Sequence, residues 1–537
     1  MTDQVSLTFP SMFRKTAEQF GDSNALSFVG ENPMSYREVQ KKINLVIAHL
    51  ESLGIEPGDK VAILSTNMPN WGIAYFAITF MGAIVVPMLP DFLPKELENI
   101  LVHSESRAIF VSEGLMPKLK DVNAPTLEHT IPIEDFSAFN KTTDLNKYKV
   151  NEEDLAAIIY TSGTTGSSKG VMLTHKNISS NVLACALLHP ITEKDRFVSV
   201  LPMSHTLENT VGFMLPIMSG ACIYYIKKPP SPTILMAALA EIKPTIMLTV
   251  PMVIEKIYFQ RVKPALEGSK TMRALMGIPF MRRTFHKAAG KKLMKTFGGN
   301  LTFFGIGGAK LNSVVEQFLL EADFPYAIGY GLTETAPMLA GAVPGKTLLG
   351  STGLAADGVE LRINDPDPET GEGEIWARGP NVMQGYYKEP ELTAEVLTED
   401  KWFRTGDLGT FDRNNNLFIK GRIKNMIVGS SGENIYPEEI EFVINNFRHV
   451  VESLVIEKKG KLVAMVHINM EEMEQAYQHL KEEVSNFMEE KTEEILKEVK
   501  SYVNARVNKF SQVSSVVHQT SPFQKTATQK IKRFLYS

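Results

Sequence analysis

Ala156–Gly170 reads AAIIYTSGTTGSSKG. Ala156–Tyr160 is an apolar run of strand length, and a loop rich in Ser, Thr and Gly follows it without a break. Glycines let a backbone approach a phosphate closely, hydroxyls and backbone N–H groups can donate to it, and Lys169 adds a cation. Thr174 is placed to cap the next helix. Such a loop suits the β- and γ-phosphates of a nucleotide. It is not the ordinary P-loop, because G-x-x-x-x-G-K-[ST] fails in every register. A Ser/Gly linker has a similar composition, but linkers do not usually sit directly behind a buried strand.

Outward from this stretch, short apolar runs recur. Val61–Leu64, Ala83–Val86, Ala108–Val111, Phe197–Leu201, Cys222–Ile226 and Ile246–Val250 read as strands buried on both faces. Amphipathic segments such as Tyr36–Leu53 separate them, and the alternation predicts α/β sheets with helices on both sides. Leu301–Ile306 is a further strand leading into Gly307-Gly308-Ala309. Ser313 with Glu316 forms a capping-box pattern for the helix after it. Trp71–Leu89 holds 19 residues without a charge, the length of a membrane span. Gly82 and Pro87 interrupt it, and no basic cluster flanks it, so a buried helix to about Met81 followed by a buried strand is expected instead.

From about Gly350 to Lys420 the strands shorten and the turns become acidic, which predicts a smaller β-rich, barrel-like unit. After Gly421 a different unit begins. Pro437–Phe447 reads as a helix, Leu454–Glu457 and Leu462–Ile468 as a hairpin around Lys458–Lys461, and Glu471–Lys500 as a long charged helix with one apolar stripe. The expected fold is therefore α/β. It comprises a large N-terminal domain, residues 1–420, of two doubly wound sheets plus the small β unit, and a small mobile α+β domain, residues 421–537.

The 537 residues include 44% hydrophobic and 22% charged, ordinary globular usage that excludes wholesale disorder. Lys plus Arg number 56 and Asp plus Glu 61, a balance of −5 that is too small for a basic nucleic-acid coat. Two cysteines, Cys185 and Cys222, exclude a disulfide framework and a four-thiolate zinc site. No basic segment leads into an apolar run at the start, so a cytoplasmic, reducing environment is expected, compatible with a peripheral contact at the inner membrane face.

Several other motifs carry polar groups in turns. Gly329–Pro337, GYGLTETAP, puts the Glu334 carboxylate beside Thr333 in a Gly-flanked turn. Thr405–Gly409, TGDLG, holds Asp407, which on its own reads first as a turn residue. Arg422 and Lys424 lie in GRIK. His205 stands in Leu201–Asn209, LPMSHTLEN. The basic segment 522–533, PFQKTATQKIKR, would in isolation be a solvated surface.

Together these stretches, in this order, resemble the adenylate-forming (AMP-binding) superfamily: acyl-CoA synthetases, adenylation domains and luciferases. LPMSHTLEN and SSGENIYPEEIE resemble the long-chain fatty acyl branch. The resemblance implies that Thr161 is catalytic within a loop, Thr161–Lys169, whose Ser162, Gly163, Thr164, Thr165, Gly166 and Lys169 hold phosphates, that Tyr330 and the turn Gly307, Gly308, Ala309 pack near adenine, and that Gly331 and Thr333 also bind the nucleotide. It implies that Glu334 holds Mg²⁺, that Asp407 bonds the ribose hydroxyls with Arg422 beside it, and that Lys530 is the catalytic lysine. His205 would wall the acyl/CoA tunnel, and Lys424 would be the hinge. Three positions depart from the family pattern: Ser168 and Gln524 stand where Pro is usual, and Gln529 where Gly is.

The chemistry so implied is ATP-dependent activation of a fatty acid through an acyl-adenylate, then thioester formation with CoA. The alternatives are loading of a separate acyl carrier protein, or activation of an aryl or other carboxylic acid. ATP, Mg²⁺ and CoA are the expected small-molecule partners, with no nucleic acid; the oligomeric state is not legible.

Overall fold

The computed structural model describes residues 6–161, 168–228, 231–429, 434–470, 484–526 and 530–536. Two large sheets organise it. In the first, the strands Tyr326–Gly331, Phe303–Ile306, Ile246–Thr249, Arg196–Ser199, Cys222–Tyr225 and Asn24–Phe28 lie side by side and parallel. Short antiparallel strands finish both edges, giving nine in all. The second has seven strands, with Ile84–Met88, Lys60–Leu64, Ser106–Val111 and His129–Pro132 parallel. Leu155–Thr161 joins them in parallel and turns back through the antiparallel strand Lys169–Thr174. The apolar runs identified from sequence are these strands, shifted by one or two residues at their ends.

The uncharged stretch resolves into the helix Pro69–Phe80 and the strand Ile84–Met88. Trp71 and Ile73 to Ile78 are fully buried, because this helix packs against helices Phe9–Phe20 and Tyr36–Ser52, strands of both large sheets, and the ring of Phe213. Gly72 permits that last contact: a Cβ there would lie 2.6 Å from the Phe213 ring. Removing each such aromatic or aliphatic side chain from water contributes about 1.5–3 kcal/mol, which is why the helix is apolar all round. Among the described residues no helix is long and apolar enough to cross a membrane.

The β-rich unit differs from expectation. Glu360–Asn364, Gly373–Arg378, Phe403–Phe411 and Leu417–Arg422 form an open four-stranded antiparallel sheet, not a closed barrel. It packs on the edge of the nine-stranded sheet through Ile375, Leu417, Ala340 and Tyr330, so the face a barrel would close over is already covered. The capping box at Ser313 is also corrected. Asn312 is the cap, accepting from the backbone N–H groups of Val314 and Val315, while the buried Glu316 accepts from Gly350 N.

Beyond Arg422 the helix Pro437–Ile444 and the hairpin Val450–Lys458/Lys461–Ile468 form as read, and Ser515–His518 adds a parallel third strand. The charged helix is described over Val484–Asn504, where Ile495, Val499 and Val503 are buried at the expected spacing. Its beginning, residues 471–483, lies outside the described residues. Tyr436 donates to Glu372 at 2.9 Å, and Lys310 lies over the Phe442 ring, so this unit rests on the larger body.

Candidate functional site

The parallel strands of the first sheet deliver their C-terminal ends to one place. Phe303–Ile306 runs into Gly307 and Gly308, and its neighbour Tyr326–Gly331 carries Tyr330. Gly308 adopts a φ of +87°, and a Cβ on Gly307 would meet Leu207 at 3.0 Å. Gly331 has no alternative at all, since a Cβ would lie 1.8 Å from the carbonyl oxygen of Pro337. Just past that close approach Thr333–Thr335 forms a single tight turn with Glu334 at its centre.

Asp407 and Arg422 face each other across antiparallel strands, Asp407 opposite Arg422 in register, so both side chains leave one face. Arg422 Nε bonds Asp407 Oδ1 at 2.8 Å and the Tyr330 hydroxyl donates to Oδ2 at 2.8 Å. Burial pushes the Asp407 carboxyl upward, and Arg422 and Tyr330 draw it back. Asp407 in turn raises Arg422, and burial with the Asp407 charge raises the Tyr330 phenol well above its usual value. The Arg422 side chain is 45% exposed along the cleft, while only a small edge of the Asp407 carboxylate, 6%, reaches it.

Glu334 accepts from the Tyr386 hydroxyl at 2.8 Å through Oε1. Tyr386 sits on the two-residue strand Gly385–Tyr386, paired with the strand that begins at Lys169, and Lys169 Nζ lies 5.0 Å from its ring centroid. One tyrosine therefore ties the end of the Ser/Gly loop to the carboxylate. Thr161 and Lys169 are cross-strand partners at the mouth of that loop. Ser162, Gly163, Thr164, Thr165 and Gly166 lie outside the described residues. Among the described residues no hydrogen bond reaches the second oxygen of Glu334, and no three His, Cys, Asp or Glu side chains could hold a metal alone. A single open carboxylate fits a phosphate-bound Mg²⁺, which keeps most of its waters.

Lys530 completes the cleft. It lies close enough to Arg422, Asp407 and Glu334 to feel their charges. Lys530 remains exposed, but partial desolvation in the cleft and the Arg422 charge lower its pKa from the ordinary lysine value, while the two carboxylates pull it back. Its segment is clamped on both sides: Lys525 pairs with Glu452 at 2.6 Å, Phe523 N donates to Glu452 at 3.0 Å, and Arg533 pairs with the buried Glu441. Gln529 lies outside the described residues. His205 faces Lys530, and burial together with that charge holds its pKa down at about 4, so the ring is neutral at pH 7. Lys424 is exposed in the short turn Ile423–Asn425, just past Arg422. Thr333 and Ala309 lie beside Glu334 and Gly308 respectively. A surface cavity of about 790 Å³ between Phe280, Arg283, Asp323 and Pro344 contains none of these residues.

Two groups were not singled out from sequence. Tyr386 carries no motif of its own; its role is visible only once its strand is paired. Glu208, in LPMSHTLEN, is buried at the start of a π-helix, Glu208–Met214, and accepts from Ser199 Oγ at 2.5 Å. Burial pushes its carboxyl to about 8. A side chain at Gly212 would collide with it at 2.6 Å.

A two-sheet α/β body with a small C-terminal unit, enclosing a cleft lined by carboxylates and cations from separate segments, defines the architecture of an adenylate-forming enzyme. The sequence pattern of the AMP-binding enzyme family matches residues 13–387, and the chain belongs to that adenylate-forming family. It is 30% identical over 597 residues to the Arabidopsis thaliana long chain acyl-CoA synthetase 1, covering 97% of this chain and 89% of that one. A long-chain-fatty-acid–[acyl-carrier-protein] ligase of the same plant is 28% identical, over 86% of this chain and 76% of its own length. In fold, the chain resembles the o-succinylbenzoate CoA synthetase of Bacillus subtilis in complex with its acyl-adenylate, at a TM-score of 0.77, 20% identity and 98% coverage of both chains.

Proposed function

We propose that this chain activates a fatty acid with ATP and then transfers the acyl group to CoA. The observation that carries the reading is the meeting of Glu334, Asp407, Arg422 and Lys530, from distant parts of the chain, around one cleft.

A carboxylate is a poor acyl donor because oxide would have to leave. In the proposed first step its oxygen attacks the α-phosphorus of ATP and the bond to pyrophosphate breaks. Asp407 accepts hydrogen bonds from the ribose hydroxyls and holds the nucleotide in line. The Lys530 ammonium offsets charge growing on the α-phosphate, and Lys169 with the loop residues Thr161–Gly166 offsets charge on the leaving group. Glu334 would hold Mg²⁺, which when bound would supply further neutralisation of the phosphates. In the second step the CoA thiol, having lost its proton, attacks the carbonyl of the mixed anhydride and AMP leaves. Neutral His205, beside the cleft, carries no charge to repel or trap the acyl chain. In this reading the large body, with Arg422 on its sheet, stays fixed, and the small C-terminal domain beyond the hinge at Lys424 turns as a lid, which exchanges Lys530 for another face between steps and keeps water from the anhydride.

Lys530→Ala should abolish acid-dependent ATP–pyrophosphate exchange, by about 100-fold or more, while thioester formation from supplied acyl-adenylate stays within about threefold. Equal loss of both would remove the lid exchange. A screen of straight-chain acids from acetate to palmitate, with benzoate and cinnamate, read as CoA-dependent AMP release, tests the fatty-acid assignment. The similarity to a carrier-protein ligase favours one second reading, and replacing CoA with a holo acyl carrier protein in the same assay decides between them.

A further inference from the structure

Charge is distributed unevenly along this chain. Residues 256–295 contain eleven Lys or Arg and one acidic residue, Glu267, a net of +10 in forty positions. With the whole chain at −5, the remainder stands at −15. A concentration of this kind inside an otherwise acidic protein is a statement about what it faces.

The segment's placement sharpens that statement. It leaves the first sheet at the C-terminal end of the strand Ile246–Thr249, beside the candidate cleft: Val250 packs on Gly308, and Glu255 accepts from Asn312 N at 2.9 Å. It then forms short helices, of which Lys270–Met276 has no buried residue, and returns through the long helix Pro279–Thr296. The inner face of that helix is fixed by buried His286, Gly290 and Leu293 and by the pairing of Arg282 with Glu321 at 2.7 Å. The opposite face follows helical spacing and carries Phe280, Lys291 and Lys295, with Lys287 at its margin paired to Asp323 at 2.6 Å. Phe280 is 79% exposed and Ile278, just before the helix, 50%. Among the described residues neither Lys291, Lys295, Lys270 nor Arg273 has a carboxylate within ion-pair distance. An aromatic and an aliphatic side chain held in water at the head of a basic stripe match the boundary between acyl chains and anionic headgroups.

We propose that the segment 256–295 seats the protein on an anionic phospholipid surface, with Ile278 and Phe280 entering the acyl boundary and the lysine stripe lying on the headgroups. The proposal deepens the fatty-acid reading by naming where such a substrate is collected, and it rests on that reading for its purpose. Protruding apolar side chains favour a bilayer over an acidic carrier protein, which a flat basic face would serve better.

Sedimentation of the full chain with vesicles tests it. Phosphatidylcholine vesicles containing phosphatidylglycerol should carry the protein down, pure phosphatidylcholine vesicles should not, and raising salt should release it. Lys291→Glu with Lys295→Glu should weaken binding by at least about tenfold, since each cation near such a surface is worth about fivefold. Phe280→Ser should remove the fraction that resists salt. Equal binding to neutral vesicles, or no effect of the charge reversals, would overturn the proposal. So would a result in which the reversals spare vesicle binding and impair transfer to a carrier protein. Should a variant fail to fold, the lipid and salt dependence of the unaltered chain still decides. Vesicle binding needs no turnover, so its failure leaves acid activation standing, and absence of AMP release with every acid leaves the surface standing.

Discussion

Two sides of the cleft are built in different ways. On one, Asp407, Arg422 and Tyr330 lock each other across strands of two sheets, and each carboxylate oxygen of Asp407 has a partner. On the other, Lys530 sits on a short terminal segment, held to its own unit by Lys525 with Glu452 and Arg533 with Glu441. The first side is embedded in the body that folds around it. The second is held from outside the cleft, by the pairs of Lys525 and Arg533 with Glu452, Glu438 and Glu441 and by the buried Phe523. A group that must stay with the nucleotide in both steps suits the first construction, and a group needed in one step suits the second.

Asp407→Ala strikes the embedded side and should have the larger effect. It removes the acceptor and leaves Arg422 and the Tyr330 hydroxyl without their partner, so kcat/KM for ATP in pyrophosphate exchange should fall about 100-fold, near 3 kcal/mol of transition-state binding. Unchanged ATP dependence would take Asp407 out of the site. Lys525→Ala loosens the clamp without touching the cleft. Pyrophosphate exchange should drop about tenfold, thioester formation from acyl-adenylate should hold, and unfolding stability should change by about 1 kcal/mol, as expected for a partly exposed pair. Parallel loss of both half-reactions would mean that the tail serves them alike.

An effect on stability rather than on turnover sharpens the comparison by pH. Glu208 lies in the embedded body with its carboxyl raised from the ordinary 4.5 to about 8. Between those values the folded chain holds a proton that the unfolded chain has lost, so stability is greatest below the lower value and declines as pH rises through the upper one. Glu208→Gln should flatten that decline, which amounts to about 1.4 kcal/mol per pH unit at most, in urea unfolding followed from pH 5 to 8. An identical slope in the variant would show that another group sets it.

Strands were the most legible part of the molecule, because a run such as Val61–Leu64 has few places to go except between two helical layers. Tyr330, Asp407, Arg422 and Lys530 could be singled out only through the ordered set of motifs that resembles a family, since alone they read as turn or surface residues. Legibility failed where meaning depends on distant neighbours. Glu208 carries no signal of its own in sequence and Glu316 reads as half of a capping box, yet both are buried, one against Ser199 and the other beneath Gly350 N. Tyr386 acquires its place only when a two-residue strand pairs with Lys169–Thr174. The net charge hid the basic segment by averaging it against an acidic remainder.

The turn that joins the strands of Asp407 and Arg422 has a reach beyond its own five residues. Asp412 through Asn416 is knotted by its own side chains, Asp412 accepting from Asn414 N and Asn416 N. Because side chains alternate along a strand, deleting one residue from that distant loop would slide the ladder by a single place and turn Arg422 away from its carboxylate. An engineer choosing an exposed bend for an affinity tag, or an evolving lineage sampling indels, would meet there a constraint that no map of residues near the ligand would display.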